Sequence, residues 1–233
     1  MYNPKYFRET EHSRLLAVIE QAPLATLVSV DPEQVAEDTG KALMISHLPL
    51  IAEPVAGDEE AGQGRPPRLL GHLAKANPHA RLLQRHAPVL AIFHGPNGYV
   101  SPSWYPGKLT HGRVVPTWNY AVVHAHCRAY LSDDPGVLRA HLEQLTDSHE
   151  AALSGAWRVS DAPADFIDAQ LGEIHALTLE VDRLVGKFKL SQNRDQTDRQ
   201  GVLRGLSERG PRQAELVELM QAVAARSPAP EKP

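Results

Sequence analysis

The run from Thr117 to Leu131 constrains this chain most, because it reads as one long strand whose two faces differ in kind. Trp118, Tyr120, Val122, His124, His126 and Arg128 fall on one side; Thr117, Asn119, Ala121, Val123, Ala125, Cys127 and Ala129 fall on the other. A strand of that length needs partners of similar length, so the chain must build a substantial sheet. The small-residue face permits close approach by another subunit, a sheet or a helix, and we expect it to lie in a homodimer interface. His124 and His126 share a face, but without a Cys pair or a His-Glu-x-x-His pattern they predict no metal site.

Other strands are read at Leu24–Val30, Ala42–Leu48, Arg68–Leu73, Val89–His94 and Ala176–Val185, with a turn expected at Gly95-Pro96-Asn97-Gly98 before Tyr99–Ser101. Helical patterns lie before Pro23, over His79–His86, Val137–Leu145 and Pro163–Ile174, and from Gln196 to Arg226. A Gly-, Pro- and acid-rich loop is expected over Ala56–Pro67, and disorder over Ser227–Pro233. The mixture predicts an α+β fold, mainly antiparallel β, with peripheral helices and a helical C-terminus.

With 233 residues, 42% of them hydrophobic, the chain can bury a core of its own. Its net charge of −4 supplies no global field for nucleic acid or anionic lipid. The single cysteine, Cys127, cannot form an internal disulfide. The opening Met1–Tyr6 lacks the apolar core of a signal peptide, and no apolar run reaches the roughly 18 residues of a membrane span. The expectation is a soluble, cytoplasmic protein.

Two stretches carry chemistry. From Ala91 to Asn119, aromatic residues stand among hydroxyls and an amide, a mixture that suits a flat, partly polar ligand as well as a plugged barrel end. Near Lys75-Ala76-Asn77-Pro78, Asn77 would cap a helix beginning at Pro78, with Lys75 and His72 beside it, an arrangement fit for an anion or for ordinary capping. A third stretch, Gly186–Asn193, joins lysines and amides at a strand end.

Several segments together resemble the PaiB-type family of FMN-binding proteins, described as negative transcriptional regulators. They are Ser46-His47-Leu48-Pro49, Gly71–Pro78, Tyr99–Tyr105, Val115–Tyr120 and Lys189–Asn193, and the resemblance runs from Met1 to about Leu206. It implies an FMN-binding split β-barrel, related to pyridoxamine-phosphate oxidase, over residues 1–206, leaving 207–226 as a C-terminal helical extension and 227–233 as a tail. It also implies a homodimer with FMN where two barrels meet. With FMN as ligand, the phosphate is expected near Lys75, Asn77 and His72. The ribityl chain and ring edge are expected against Ser46, His47, Leu48, Ser101 and Ser103, and the ring near Trp104, Thr117, Trp118 and Asn119, with Lys189 and Gln192 approaching from the partner.

Three functions compete. The first is an FMN-binding regulator and the second a flavin-dependent oxidoreductase, with the flavin rather than an identifiable acid or base carrying the redox step. The third is a haem-binding or haem-degrading protein using His72 or His124 as axial ligand. With 24 basic against 28 acidic residues, specific DNA binding by the protein alone is not expected.

Overall fold

The computed structural model describes residues 1–35, 39–53, 66–151, 153, 155 and 157–225. The loop expected from Ala56 and the tail from Ser227 lie almost entirely outside them. Eight strands form one sheet: β1 (Arg8–Glu9), β2 (Leu24–Val30), β3 (Leu43–Pro49), β4 (Ile51–Glu53), β5 (Arg68–Ala74), β6 (Pro88–Val100), β7 (Thr117–Ser132) and β8 (Ile174–Lys189). Their order is β3-β2-β6-β7-β8-β5-β4, with β1 also on β8. β2 pairs antiparallel with β3 and β6, and β5 with β4 and β8. The sheet curls. On β5, Gly71 lets Leu50 and the Pro49 carbonyl approach where a Cβ would collide with the Leu50 side chain.

The helices are α1 (His12–Gln21), α2 (Thr39–Ala42), α3 (His79–Leu83), α4 (Gly107–His111), α5 (Pro135–Glu150), α6 (Ala164–Gly172), α7 (Gln196–Ser207) and α8 (Ala214–Ala224). The cap of α5 follows from Asp134-Pro135: Val137 N–H donates to Asp134 Oδ1, and Pro135 opens the helix where an amide would have had no partner. The single C-terminal helix expected from the apolar stripe is instead two. Gly210, at φ +88°, breaks it after Ser207.

Two compact units divide the chain discontinuously, one of Met1–Val18, His94–Val123 and Val185–Pro233, the other of Ile19–Phe93 and His124–Leu184. In the second unit a cluster of Leu138, Val159, Ile167, Leu171 and Ala176 is buried among α5, α6 and β8. In the first, Val202, Leu206, Leu216, Met220 and Val223 bury one face of α7 and α8.

Two strand expectations are corrected. There is no turn at Gly95–Gly98, since β6 runs through it. Gly95 is instead a place of close approach, where a Cβ would press on Val18 and Ala121, and a Cβ on Gly98 would meet Gln213 and Leu216. The small-residue face of β7 is also not left open for a second subunit. Ala121, Val123, Ala125, Cys127 and Ala129 are all buried within this chain, so close packing inside one molecule accounts for their size.

Candidate functional site

The nominated residues form two groups, one in each unit. In the second unit Ser46, on the inward face of β3, is joined to the start of α3. Asn77 Nδ2 donates to Ser46 Oγ at 3.1 Å, and Ser46 Oγ stands 3.0 Å from His79 Nδ1. Asn77 Oδ1 accepts from His79 N–H, the bond of the expected cap. His79 is 1% exposed, and its Nε2 has no partner. Burial lowers its pKa, which keeps the ring neutral. The neighbours of Ser46 diverge from it: His47 is exposed and pairs with Thr26 across the β2–β3 ladder, while Leu48 is half-buried.

Lys75 lies 3.4 Å from the Asp133 carboxylate, which also takes a 2.7 Å contact from His175 Nδ1. The cation nominated for phosphate therefore already has a counter-charge. His72 points elsewhere, its ring 5.8 Å from that of His141 on α5. Neither His72 Nδ1 nor His141 Nε2 has a hydrogen-bond partner. Burial lowers both pKa values, that of His141 to about 4, with the His72 charge as a second cause.

The first unit gathers Thr117, Trp118, Asn119, Lys189 and Gln192. Lys189 Nζ donates to Thr117 Oγ1 at 2.6 Å and to the Trp118 carbonyl at 2.7 Å, and lies over the Phe7 ring. Its pKa is lowered, first by burial and then by Lys187 and Arg194. Lys187 sits between the Tyr2 and Tyr120 rings, and Arg194 over Tyr105. Among the described residues no carboxylate forms an ion pair with any of these three cations. Trp118 is 54% exposed, and its ring meets Tyr99 edge-on at 6.2 Å.

Asn119, by contrast, is fully buried. Its amide donates to Ser191 Oγ at 3.0 Å and to Met220 Sδ at 3.4 Å, while its Oδ1 accepts from the Ser191 hydroxyl. Ser191 holds φ +65°, a left-handed backbone for a residue with a Cβ. Gln192 steadies that corner by accepting from Leu190 N–H and donating to the Phe188 carbonyl. The Trp104 ring lies on Gly205 and its carbonyl against Gly201, both on α7, so this indole serves the packing of that helix. Ser101 caps the short turn at Pro102–Trp104 through the N–H of Ser103, whose own side chain is exposed.

Sequence reasoning did not single out Arg194, Tyr105, His79 or His141. Only His79 and Tyr105 carried a local signal, one just past Asn77-Pro78, the other ending the aromatic turn.

The sequence model described as "Putative FMN-binding domain" matches residues 1–183. The chain belongs to this FMN-binding domain family. Relatives extend the likeness past the matched segment. Protease synthase and sporulation protein PAI 2 of Bacillus subtilis is 28% identical, covering 95% of this chain and 97% of its own length. An uncharacterized protein of Emericella nidulans is 31% identical over 90% of this chain and 92% of its own. Among solved structures, the FAD and heme binding protein of Mycobacterium smegmatis aligns with TM-score 0.52 at 19% identity, covering 78% of this chain and 73% of its own. The flavocytochrome Anf3 of Azotobacter vinelandii aligns with TM-score 0.54 at 15% identity, covering 80% and 72%. These establish the split-barrel fold. Lys187, Lys189, Gln192 and Arg194 lie beyond the segment the family model matches, in the part reached by the PAI 2 likeness.

Proposed function

We propose that this member of the family binds FMN, with its phosphate at Lys187, Lys189 and Arg194 and its ring beside Trp118. The observation that carries the reading is the gathering of three cations, partly withdrawn from water: Lys187 and Arg194 both lower the pKa of Lys189, and Lys189 is held by a hydroxyl and a carbonyl rather than by a carboxylate. Like charges so placed repel and lose hydration, and an anion in their midst relieves both costs. Fixed lysines and a guanidinium suit a phosphate, and exposed indole and phenol rings suit a flat heterocycle. Thr117 and the Trp118 carbonyl hold the Lys189 ammonium in place, and Gln192 fixes the corner that follows. Ser46, Asn77 and Lys75 are assigned a lesser part, since their polar groups are already occupied. When bound, the flavin supplies the redox chemistry.

In this reading the protein acts as a cytoplasmic homodimer, and any regulatory effect on transcription is indirect, through flavin chemistry or a partner. A flavin-dependent oxidoreductase fits the same site. A haem reading has one observation of its own, the unpartnered His72 Nδ1. The similar structure from Mycobacterium smegmatis is described as binding both groups.

The spectrum of the purified protein separates flavin from haem. Titration then places the phosphate. Lys189→Gln is expected to weaken FMN by about tenfold to a hundredfold, the worth of a charge-assisted contact, and to leave riboflavin unchanged. Lys75→Gln is expected to change neither. Selective loss of FMN in the Lys75 variant would move the phosphate there, and a protein that binds neither flavin would overturn the reading.

A further inference from the structure

Two histidines of the second unit meet where α5 packs on the sheet. His72 stands directly across from Ala176 in the β5–β8 ladder and so shares its face. Ala176 belongs to the buried apolar cluster among α5, α6 and β8, and His141 lies about one helical turn from Leu138 of the same cluster. Neither ring has a part in the proposed flavin site.

What singles out the pair is where its nitrogens end. His72 Nδ1 and His141 Nε2 are both buried, and neither has a hydrogen-bond partner. A polar atom removed from water and left unpaired is costly, and one ion bound by both rings would remove both costs. The spacing suits such an ion. A ligating nitrogen lies about 2 Å from its metal and about 1 Å from its own ring centre, so two rings joined in a near-straight line through one ion have centres about 6 Å apart. Here the ring centres are 5.8 Å apart. Burial lowers both pKa values, so in the metal-free chain both rings are neutral, the form that ligates.

The surroundings then choose the ion. Among the described residues no group of three or more His, Cys, Asp or Glu side chains gathers to hold a metal. Zinc takes four ligands, and calcium and magnesium take oxygens in larger number, so a lone pair of nitrogens serves none of them. Monovalent copper has a closed shell, accepts two donors in line and suits imidazole. Its single charge also costs less to bring among apolar side chains than a double one. His72 is half-buried, which leaves the ion a way in from the surface. We propose that His72 and His141 together bind one Cu(I) ion, through Nδ1 and Nε2 respectively. The inference is independent of the flavin reading, and it gives His72 Nδ1 this role in place of an axial bond to haem.

The test is anaerobic titration of the full chain with Cu(I) buffered by bicinchoninate, whose coloured complex reports the copper lost to the protein. The wild type is expected to take one ion per chain, with the X-ray absorption spectrum of a two-coordinate nitrogen site, and Cys127→Ser to do the same. His72→Gln and His141→Gln are each expected to weaken binding by more than about a hundredfold, the upper range for losing a group that only supports a ligand. Copper should raise the melting temperature of the wild type and of neither histidine variant. Should His141→Gln unfold the chain, His72→Gln, at the half-buried position, carries the same reading. No copper uptake against bicinchoninate, sulfur in the spectrum, zinc bound as tightly as copper, or unchanged copper affinity in the folded His72→Gln variant would overturn the proposal, as would a haemin complex that His72→Gln abolishes.

Discussion

His141 shows how one side chain ties stability to pH. Its ring is 6% exposed, faces His72 at 5.8 Å, and has a pKa lowered to about 4. The unfolded chain takes up the proton as pH falls through about 6.5, while the folded chain resists until about 4, so protonation favours unfolding across that window. Stability should be flat above the upper value and fall below it. The full shift is worth on the order of 3 kcal/mol at ~1.36 kcal/mol per pH unit. His72 and His79, whose pKa values burial also lowers, add to the slope in the same direction. His141→Leu removes this group and leaves those. Urea denaturation at pH 7 and pH 4.5 is expected to show the variant losing about 2 to 3 kcal/mol less than the wild type between the two. Equal losses would mean that His141 is not held neutral by the fold.

Helix α7 was legible as a helix, but its role was not. In sequence it is part of one helical run from Gln196 to Arg226, and in the fold Asp195 caps its start, Asp198 N–H donating to Asp195 Oδ1. Gly201 and Gly205 look in sequence like two weak points in a helix. They are instead the floor on which Trp104 lies, for a Cβ at either position would overlap its carbonyl or its ring. Helix propensity alone would make Gly205→Ala stabilising by about 1 kcal/mol. The overlap should reverse that sign and cost about 1 to 3 kcal/mol, as overpacking does. Trp104→Ala should make the same Gly205→Ala change favourable again, and a double-mutant cycle by denaturation checks it; stabilisation in both backgrounds would mean that the indole is not seated there. The strands β7 and β8 were equally legible from alternation, because their buried face is a local property of the sequence. The break expected in β6 was not, since Gly95 and Gly98 answer to neighbours distant in the chain. The site divides in the same way. The lysines at the end of β8 stood out from their own segment, whereas Arg194 and Tyr105 became relevant only when folding set them together.

At the scale of the whole molecule, with the small face of β7 buried, a dimer would use another surface, and the outward face of β2 and β3 carries a group of exposed apolar side chains. Leu24 is 65% exposed, Val30 48%, Leu43 48% and Ile45 57%. Among the described residues β3 ends the strand order, so its outer edge there has no strand partner. An apolar face beside an open edge marks an association surface, and a lasting interface there would bury on the order of 2,000 Å². Pairing also bears on DNA. Two chains of −4 carry −8 together (2 × −4), so the dimer repels a duplex more than the monomer does. Arg14, Arg68, Arg85, Arg128 and Arg139 already stand in ion pairs with carboxylates. Light scattering at micromolar protein is expected to show a dimer for the wild type and a monomer for Ile45→Lys, with matching circular dichroism. A mobility-shift titration at near-physiological salt is expected to show no sequence-specific complex for either. A wild-type monomer would remove the dimer, and a dimeric Ile45→Lys would move the interface off β3. A specific complex at nanomolar protein would show that local charge outweighs the net field.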